Sequence, residues 1–308
     1  MKQQYKAELL LLLITFIWGG TFSIVKTALE NVSPLIFLGT RFGISTILYL
    51  VFFPVSVKDM DRWTLKHGLV IAFLLFAGFA FQTVGLKYTT ASKSGFITGM
   101  LVIFTPLAQV LIEKKPPKPG NLIGIVLVTF GLLLLTSKEN SIGNFVYSLG
   151  RDFTMGDFLT LLCAIMFALY IVYLDIYSKQ HQTSKLVLIQ LAVTSIFSLL
   201  ISPIFDDIKF RFNFQLALAL LYTSLLATIF ATYIQTEYQK FTTPTRAAII
   251  FTMEPVFAGI IARIFLGEKF APLALLGAGL MVSGLLISEL SDVIFGNGKF
   301  LRNFLKRN

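Results

Sequence analysis

Three charged residues fall well inside long apolar runs of this chain: Arg41, Glu254 and Arg263. A charge in hydrocarbon is costly, so such residues by default belong to a functional site or a pathway. Glu254 directly precedes Pro255. Proline has no N–H to donate, so a helix carbonyl upstream loses its partner. A carboxylate beside such an interruption can bind a substrate ammonium or carry a proton. The competing role is a structural ion pair or a cap at the kink. Arg41 can bind a substrate carboxylate or pair with Glu254, and pairing is the preferred expectation. At roughly 1.5 Å per residue their depths differ by several ångströms, a gap an arginine can span. Arg263 lies near the end of its run, where its head can snorkel to the interface.

Neutral residues complete the candidate set. Gln82 and Gln190 are included because a buried amide needs partners. Thr105 precedes Pro106 as Glu254 precedes Pro255, and both prolines are expected to interrupt their helices. Trp18, Phe81 and Tyr170 can line a cavity, although aromatics also serve as packing. The single cysteine, Cys163, excludes a disulfide within the chain and a cysteine metal cluster. His67 and His181 sit at run ends, isolated from each other in sequence, and no residue group has metal-ligand spacing. Neither a metal nor a cofactor is expected.

The elements that must position these residues are transmembrane helices. Of 308 residues, 56% are hydrophobic and 14% charged, whereas a soluble domain carries roughly a quarter charged residues. The mean hydropathy is +0.78. Ten apolar runs of spanning length are predicted near 7–27, 34–54, 67–86, 94–112, 119–136, 156–175, 186–204, 214–234, 246–266 and 271–289. The first is read as a retained helix, because no small-residue cleavage site follows it. The net charge of +10 would suggest nucleic acid in a soluble protein. Here the basic residues sit at span ends, where they set topology and meet anionic headgroups. With the N-terminus inside, sixteen basic residues, Arg246 among them, fall on inside segments and eight outside. Both termini are therefore expected in the cytoplasm, in a membrane of the bacterial inner type. Gly95/Gly99 and Gly120/Gly124 are read as close packing within the bundle.

The two halves resemble each other. Gln82-Thr83, then Lys87-Tyr88-Thr89-Thr90 and Lys93, are matched 153 residues later by Gln235-Thr236, Lys240-Phe241-Thr242-Thr243 and Arg246. Gly124 and Gly131 match Gly277 and Gly284 at the same offset, while Pro106 and Pro255 match at 149. At 149, Arg41 corresponds to Gln190 and Glu254 to Thr105, so the halves share a scaffold but not a charge pattern. Five spans per copy is an odd number. The second copy must then enter from the opposite side, as an inverted repeat of the kind that recurs in secondary transporters.

Several short motifs carry a family likeness: Trp18-Gly19, Arg41-Phe42, Gly156-Asp157, Glu254-Pro255 and Leu266-Gly267-Glu268. In this order and spacing the chain resembles the EamA family of the drug/metabolite transporter superfamily, over roughly residues 7–290. The resemblance implies two five-helix repeats, cytoplasmic termini and a central cavity that opens alternately to each side. It also implies small cargoes such as amino acids, often exported. The first half departs from the pattern at Glu113-Lys114-Lys115-Pro116-Pro117, which lacks the Leu-Gly-Glu form.

The expected organisation is all-α and membrane-integral: a first repeat at 1–137, an external linker at 138–155, a second repeat at 156–290 and a basic tail at 291–308. The expected partners are a small-molecule substrate, the lipid bilayer and a proton as candidate coupling ion, with no nucleic acid, in a monomer or weak homodimer. An intramembrane aspartyl protease needs two aspartates within spans, and every Asp here lies at or beyond a span end. No Walker motif supports a pump, and no ring of like charges supports a channel.

Overall fold

The computed structural model describes residues 2–53, 60–135, 153–205, 207–266 and 272–294. The apolar runs form helices because lipid offers the backbone no hydrogen-bond partner, and a helix satisfies each group internally. Among the described residues nine helical segments are long and apolar enough to cross a membrane, and a shorter apolar helix occupies Pro119–Leu135. The first span comprises α1 (Lys2–Gly19) and α2 (Thr21–Ala28), the second α3 (Pro34–Phe52) and the third α4 (Arg62–Tyr88). The fourth joins α5 (Ala91–Gly99) to α6 (Leu101–Glu113), and the fifth is α7 (Pro119–Leu135). The sixth and seventh are α8 (Met155–Ser178) and α9 (Thr183–Phe205). The eighth runs from α10 (Phe214–Ser224) through a π-helix (Leu225–Phe230) into α11 (Ala231–Tyr238). The ninth joins α12 (Pro244–Phe251) to α13 (Glu254–Leu266), and the tenth is α14 (Pro272–Ile294). Among the described residues there is no strand, only an isolated bridge between Val32 and Phe210.

Side chains are distributed as lipid demands. Leu111, Ile204 and Phe214 are exposed, while Arg41, Gln190, Thr194 and Gln239 are buried. Helix starts carry side-chain caps. Asp61 accepts from the Trp63 and Thr64 amides, which starts the third span at Arg62 rather than at the expected 67. Thr90 and Thr243, mates in the repeat, each cap the helix that follows. The eighth span outlasts its expected end at 234 and continues through a short 3₁₀ turn to Phe241.

The prolines do not break their helices where the sequence suggests. The fourth span breaks at Met100, and Pro106 sits inside α6. The ninth breaks at Thr252–Met253, ahead of Glu254. Pro255 is then the second residue of α13, where a missing N–H removes no intrahelical bond. Met100 and Met253 lie 153 residues apart, so the two interruptions occupy the same place in each half.

The fifth and tenth spans pack backbone to backbone. A Cβ on Gly124 would come 2.9 Å from the Gly284 carbonyl, and one on Gly131 would come 2.6 Å from that of Gly277. Exchanging each glycine for its repeat mate turns one contact into the other. Gly99 packs against Leu132 and Gly95 against Phe22, both within the chain. Linker residues 138–152, Gly267, Glu268 and the tail from 295 onward lie outside the described residues.

The glycine seam makes a direct prediction. A Cβ on Gly277 would lie 2.4 Å from the Leu135 nitrogen, whereas one on Gly279 meets nothing within 4 Å. Gly277→Val should destabilise the protein by about 1–3 kcal/mol or more, as overpacking against rigid backbone does. Gly279→Val should leave the thermal unfolding midpoint in detergent nearly unchanged.

Candidate functional site

A cavity lies between the two halves. Five of the residues singled out in the sequence line it: Trp18, Arg41, Gln82, Tyr170 and Glu254. Twelve of its sixteen lining residues form six pairs at the repeat offsets. Trp18 and Phe167, and Thr21 and Tyr170, pair at 149. Phe79 and Thr232, Gln82 and Gln235, Thr98 and Phe251, and Leu101 and Glu254 pair at 153.

Arg41 is held by the eighth span. Its Nε donates to Thr228 Oγ1 at 2.6 Å and its Nη2 to the Ala227 carbonyl at 3.2 Å. Its guanidinium lies 5.0 Å from the Phe79 ring centre and 5.5 Å from that of Phe42. Both acceptors belong to the π-helix, whose wider turn re-aims backbone groups. The same Ala227 carbonyl accepts the Trp18 indole N–H at 3.1 Å. One carbonyl therefore fixes two cavity residues from different spans.

Glu254 opens α13 at the edge of the cavity. Its carboxylate makes no hydrogen bond or ion pair with any described residue. The expected Arg41–Glu254 pair is thus not formed. Arg41 turns instead to Thr228 and Ala227, because the π-helix presents neutral acceptors at its head. The cavity holds one basic and one acidic side chain that do not pair with each other directly.

The remaining candidates fall around this site. Gln82 Nε2 donates to Thr98 Oγ1 at 3.3 Å, both in the wall. Gln190 lies behind the wall: it accepts the Tyr170 hydroxyl at 2.7 Å and donates to the Leu186 carbonyl and Thr236. Phe81 does not line the cavity. Phe79 takes that place, since two residues of helix turn a side chain to the far face. Thr105 is fully buried away from the cavity, and its hydroxyl has no hydrogen-bond partner. With the breaks at Met100 and Met253 aligned, the structural mate of Glu254 is Leu101 rather than Thr105. The Arg263 side chain lies outside the described residues.

The sequence did not mark the Ala227 carbonyl or Phe167, and it offered Thr228 and Gln235 only among the polar span residues, most of them expected to be scaffold. Gln235 was within reach as the mate of Gln82. The π-helix has no such signal.

A second polar cluster joins the third span to the loop after the sixth. His67 Nδ1 lies 2.8 Å from His181 Nε2, and His181 Nδ1 lies 2.8 Å from Thr64 Oγ1. The two histidines, distant in sequence, are therefore neighbours. His67 stacks on Tyr177 with ring centres 4.1 Å apart. Thr64 also donates to Asp61, and this bond with the Thr64 and Trp63 amides holds the Asp61 carboxyl down at about 2. Among the described residues no group of three or more His, Cys, Asp or Glu is placed to hold a metal ion.

Two tests follow. Thr228→Val removes the short bond to Arg41 and should lower stability by about 1.5–3 kcal/mol, the range for hydrogen bonds to charged groups. Thr228→Ser should retain most of that stability in the same thermal melt. Asp61, with its folded-state carboxyl held low, contributes stability fully present above the ordinary carboxylate range and lost as pH falls towards 2. The stability difference between wild type and Asp61→Asn should therefore shrink between about pH 4 and pH 2.

Comparison with known proteins gives a consistent pattern. A family model described as the EamA-like transporter family matches residues 5–137 and 154–290. An "Uncharacterized transporter" of Archaeoglobus fulgidus is 34% identical over 284 residues, covering 92% of this chain and 86% of the relative. A "Probable amino-acid metabolite efflux pump" of Escherichia coli is 28% identical over 295 residues, covering 92% and 94%. A solved crystal structure at 16% identity superposes with a TM-score of 0.76, covering 93% of this chain and 97% of that one, which shows a shared fold.

Proposed function

From the premise that this chain belongs to the EamA-like transporter family, we propose that it moves an amino acid or closely related zwitterion across the cell membrane by alternating access, with export favoured. The observation that carries this reading is the presence of Arg41 and Glu254, unpaired with each other, in one site. They share one cavity, yet neither neutralises the other. A zwitterion brings one carboxylate and one ammonium, so a single ligand matches both. Buried charges left without a direct counter-charge favour a ligand that supplies it. The aromatic wall of Trp18, Phe79, Phe167 and Tyr170 would then receive the apolar part of the substrate. The printed name of the Escherichia coli relative points in the same direction.

Alternating access rests on the paired lining. A scaffold whose two halves exchange places can adopt two mirror-related states around one fixed site. The antiparallel crossing of the glycine seam, with Gly124 on Gly284 and Gly131 on Gly277, supports an inverted rather than a parallel repeat. Glu254, with no partner to lock it, is the residue suited to exchange a proton for the substrate ammonium. Both termini are placed in the cytoplasm, in a membrane of the bacterial inner type, and the transporter acts as a monomer or weak homodimer with no enzymatic step.

The test is counterflow in proteoliposomes with a pool of labelled amino acids, with and without a pH gradient. Wild type should exchange at least one of them. Glu254→Gln and Arg41→Gln should each lower exchange about tenfold or more, the loss expected when a charge-assisted contact to substrate is removed. No exchange of any amino acid by folded, monodisperse protein would overturn the proposal.

A further inference from the structure

The two ends of the bundle are bridged by ion pairs built from matching residues. At one end Glu8, in the first span, pairs with Arg246, at the start of the ninth, with 3.4 Å between Oε1 and Nη1. Thr242 donates to the same Glu8 oxygen at 3.0 Å. At the other end Asp157, in the sixth span, pairs with Lys93, at the start of the fourth, at 3.2 Å. Thr89 donates to Asp157 there.

The two triads are the same device. Glu8 and Asp157 are 149 residues apart, the offset of the first helix in each half. Lys93 and Arg246, and Thr89 and Thr242, are 153 apart, the offset of the fourth. In each triad the acid comes from one half and the base and threonine from the other. Three crossings separate the start of the first span from Lys93. The triads therefore stand at opposite ends, with the Arg41–Glu254 cavity between them. Neither is a surface ornament: Glu8, Arg246 and Asp157 are buried, and of the four charges only Lys93 is substantially exposed, at 36%.

We propose that these triads are a pair of alternating latches, each tying the first helix of one half to the fourth helix of the other, and that opening the cavity to either side breaks the latch at that end. This rests on the transporter reading above. Both latches are engaged here, so the cavity is held from both ends. Opening one end separates α1 from α12, or α8 from α5, which are the helices the latches join. An ion pair is suited to such a switch because its two partners can be rehydrated when the end opens, and re-formed when it closes.

The test uses full-length protein carrying Cys163→Ala, which leaves no native cysteine, and Thr21→Cys as a reporter in the cavity wall. Gln3→Cys and Met155→Cys, in separate proteins, mark which vesicle side holds each end. A membrane-impermeant maleimide is applied to right-side-out and inverted vesicles. Glu8→Gln should speed labelling of the reporter from the Glu8 end about fivefold or more and slow it from the other, fivefold being the low end of typical coupling between sites. Asp157→Asn should do the reverse. The swap Lys93→Asp with Asp157→Lys should restore the wild-type pattern. If Glu8→Gln fails to fold, Lys93→Gln tests the more exposed latch. Folded variants that label equally from both ends, or shift in the same direction, would overturn the latches and leave them as static staples. Counterflow by the same vesicles separates this from the transport reading: exchange that persists with unshifted labelling refutes only the latches.

Discussion

The Ala227 carbonyl is the point on which the site depends. In lipid every backbone acceptor needs a partner inside the protein, and this one lies in the π-turn of the eighth span. Two donors from other spans then converge on it, the Trp18 indole and the Arg41 guanidinium. Thr228, one residue along, takes the second Arg41 bond. Neutral acceptors satisfy two of the guanidinium's donor groups. It can therefore stay buried without a carboxylate beside it, and that leaves Glu254 unclaimed in the same cavity.

The rest of the molecule can be understood as holding that cavity between two equivalent halves. The glycine seam of the fifth and tenth spans lets backbones touch where lipid supplies no hydrophobic drive for association. The helix breaks at Met100 and Met253 bring matching positions, Leu101 and Glu254, to the wall. Symmetry of scaffold with asymmetry of charge gives a site with a defined direction for its ligand. The acid–base triads at the ends repeat the same cross-bracing, each linking the halves rather than the helices of one half.

The helical framework was legible in the sequence because a membrane span leaves a long apolar run, and the repeat was legible because the Lys-Tyr-Thr-Thr and Lys-Phe-Thr-Thr segments kept their spacing. Arg41, Glu254 and Gln82 reached the cavity because charge and amide inside a span are informative by themselves, and Trp18 and Tyr170 line it with them. Phe81 was placed one face away from the wall because composition does not reveal helix rotation, and Phe79 stands there instead. Thr105 was matched to Glu254 through the prolines, yet the helices break at the methionines, which no propensity marks. Arg246 was counted as a loop charge but is buried against Glu8. The π-helix was invisible for a physical reason: nothing in Leu-Leu-Ala-Thr-Ile-Phe distinguishes a π-helix from an α-helix.

The central claim is that the Arg41–Glu254 cavity binds a zwitterion. Trp18 lines it, and the other tryptophan, Trp63, lies exposed at the start of the third span. In Trp63→Phe protein, the fluorescence of Trp18 should change saturably on titration with an amino acid. The change should vanish when either Arg41 or Glu254 is replaced by glutamine. A saturable change that persists in both replacements, or no change with any amino acid in folded protein, would contradict the claim.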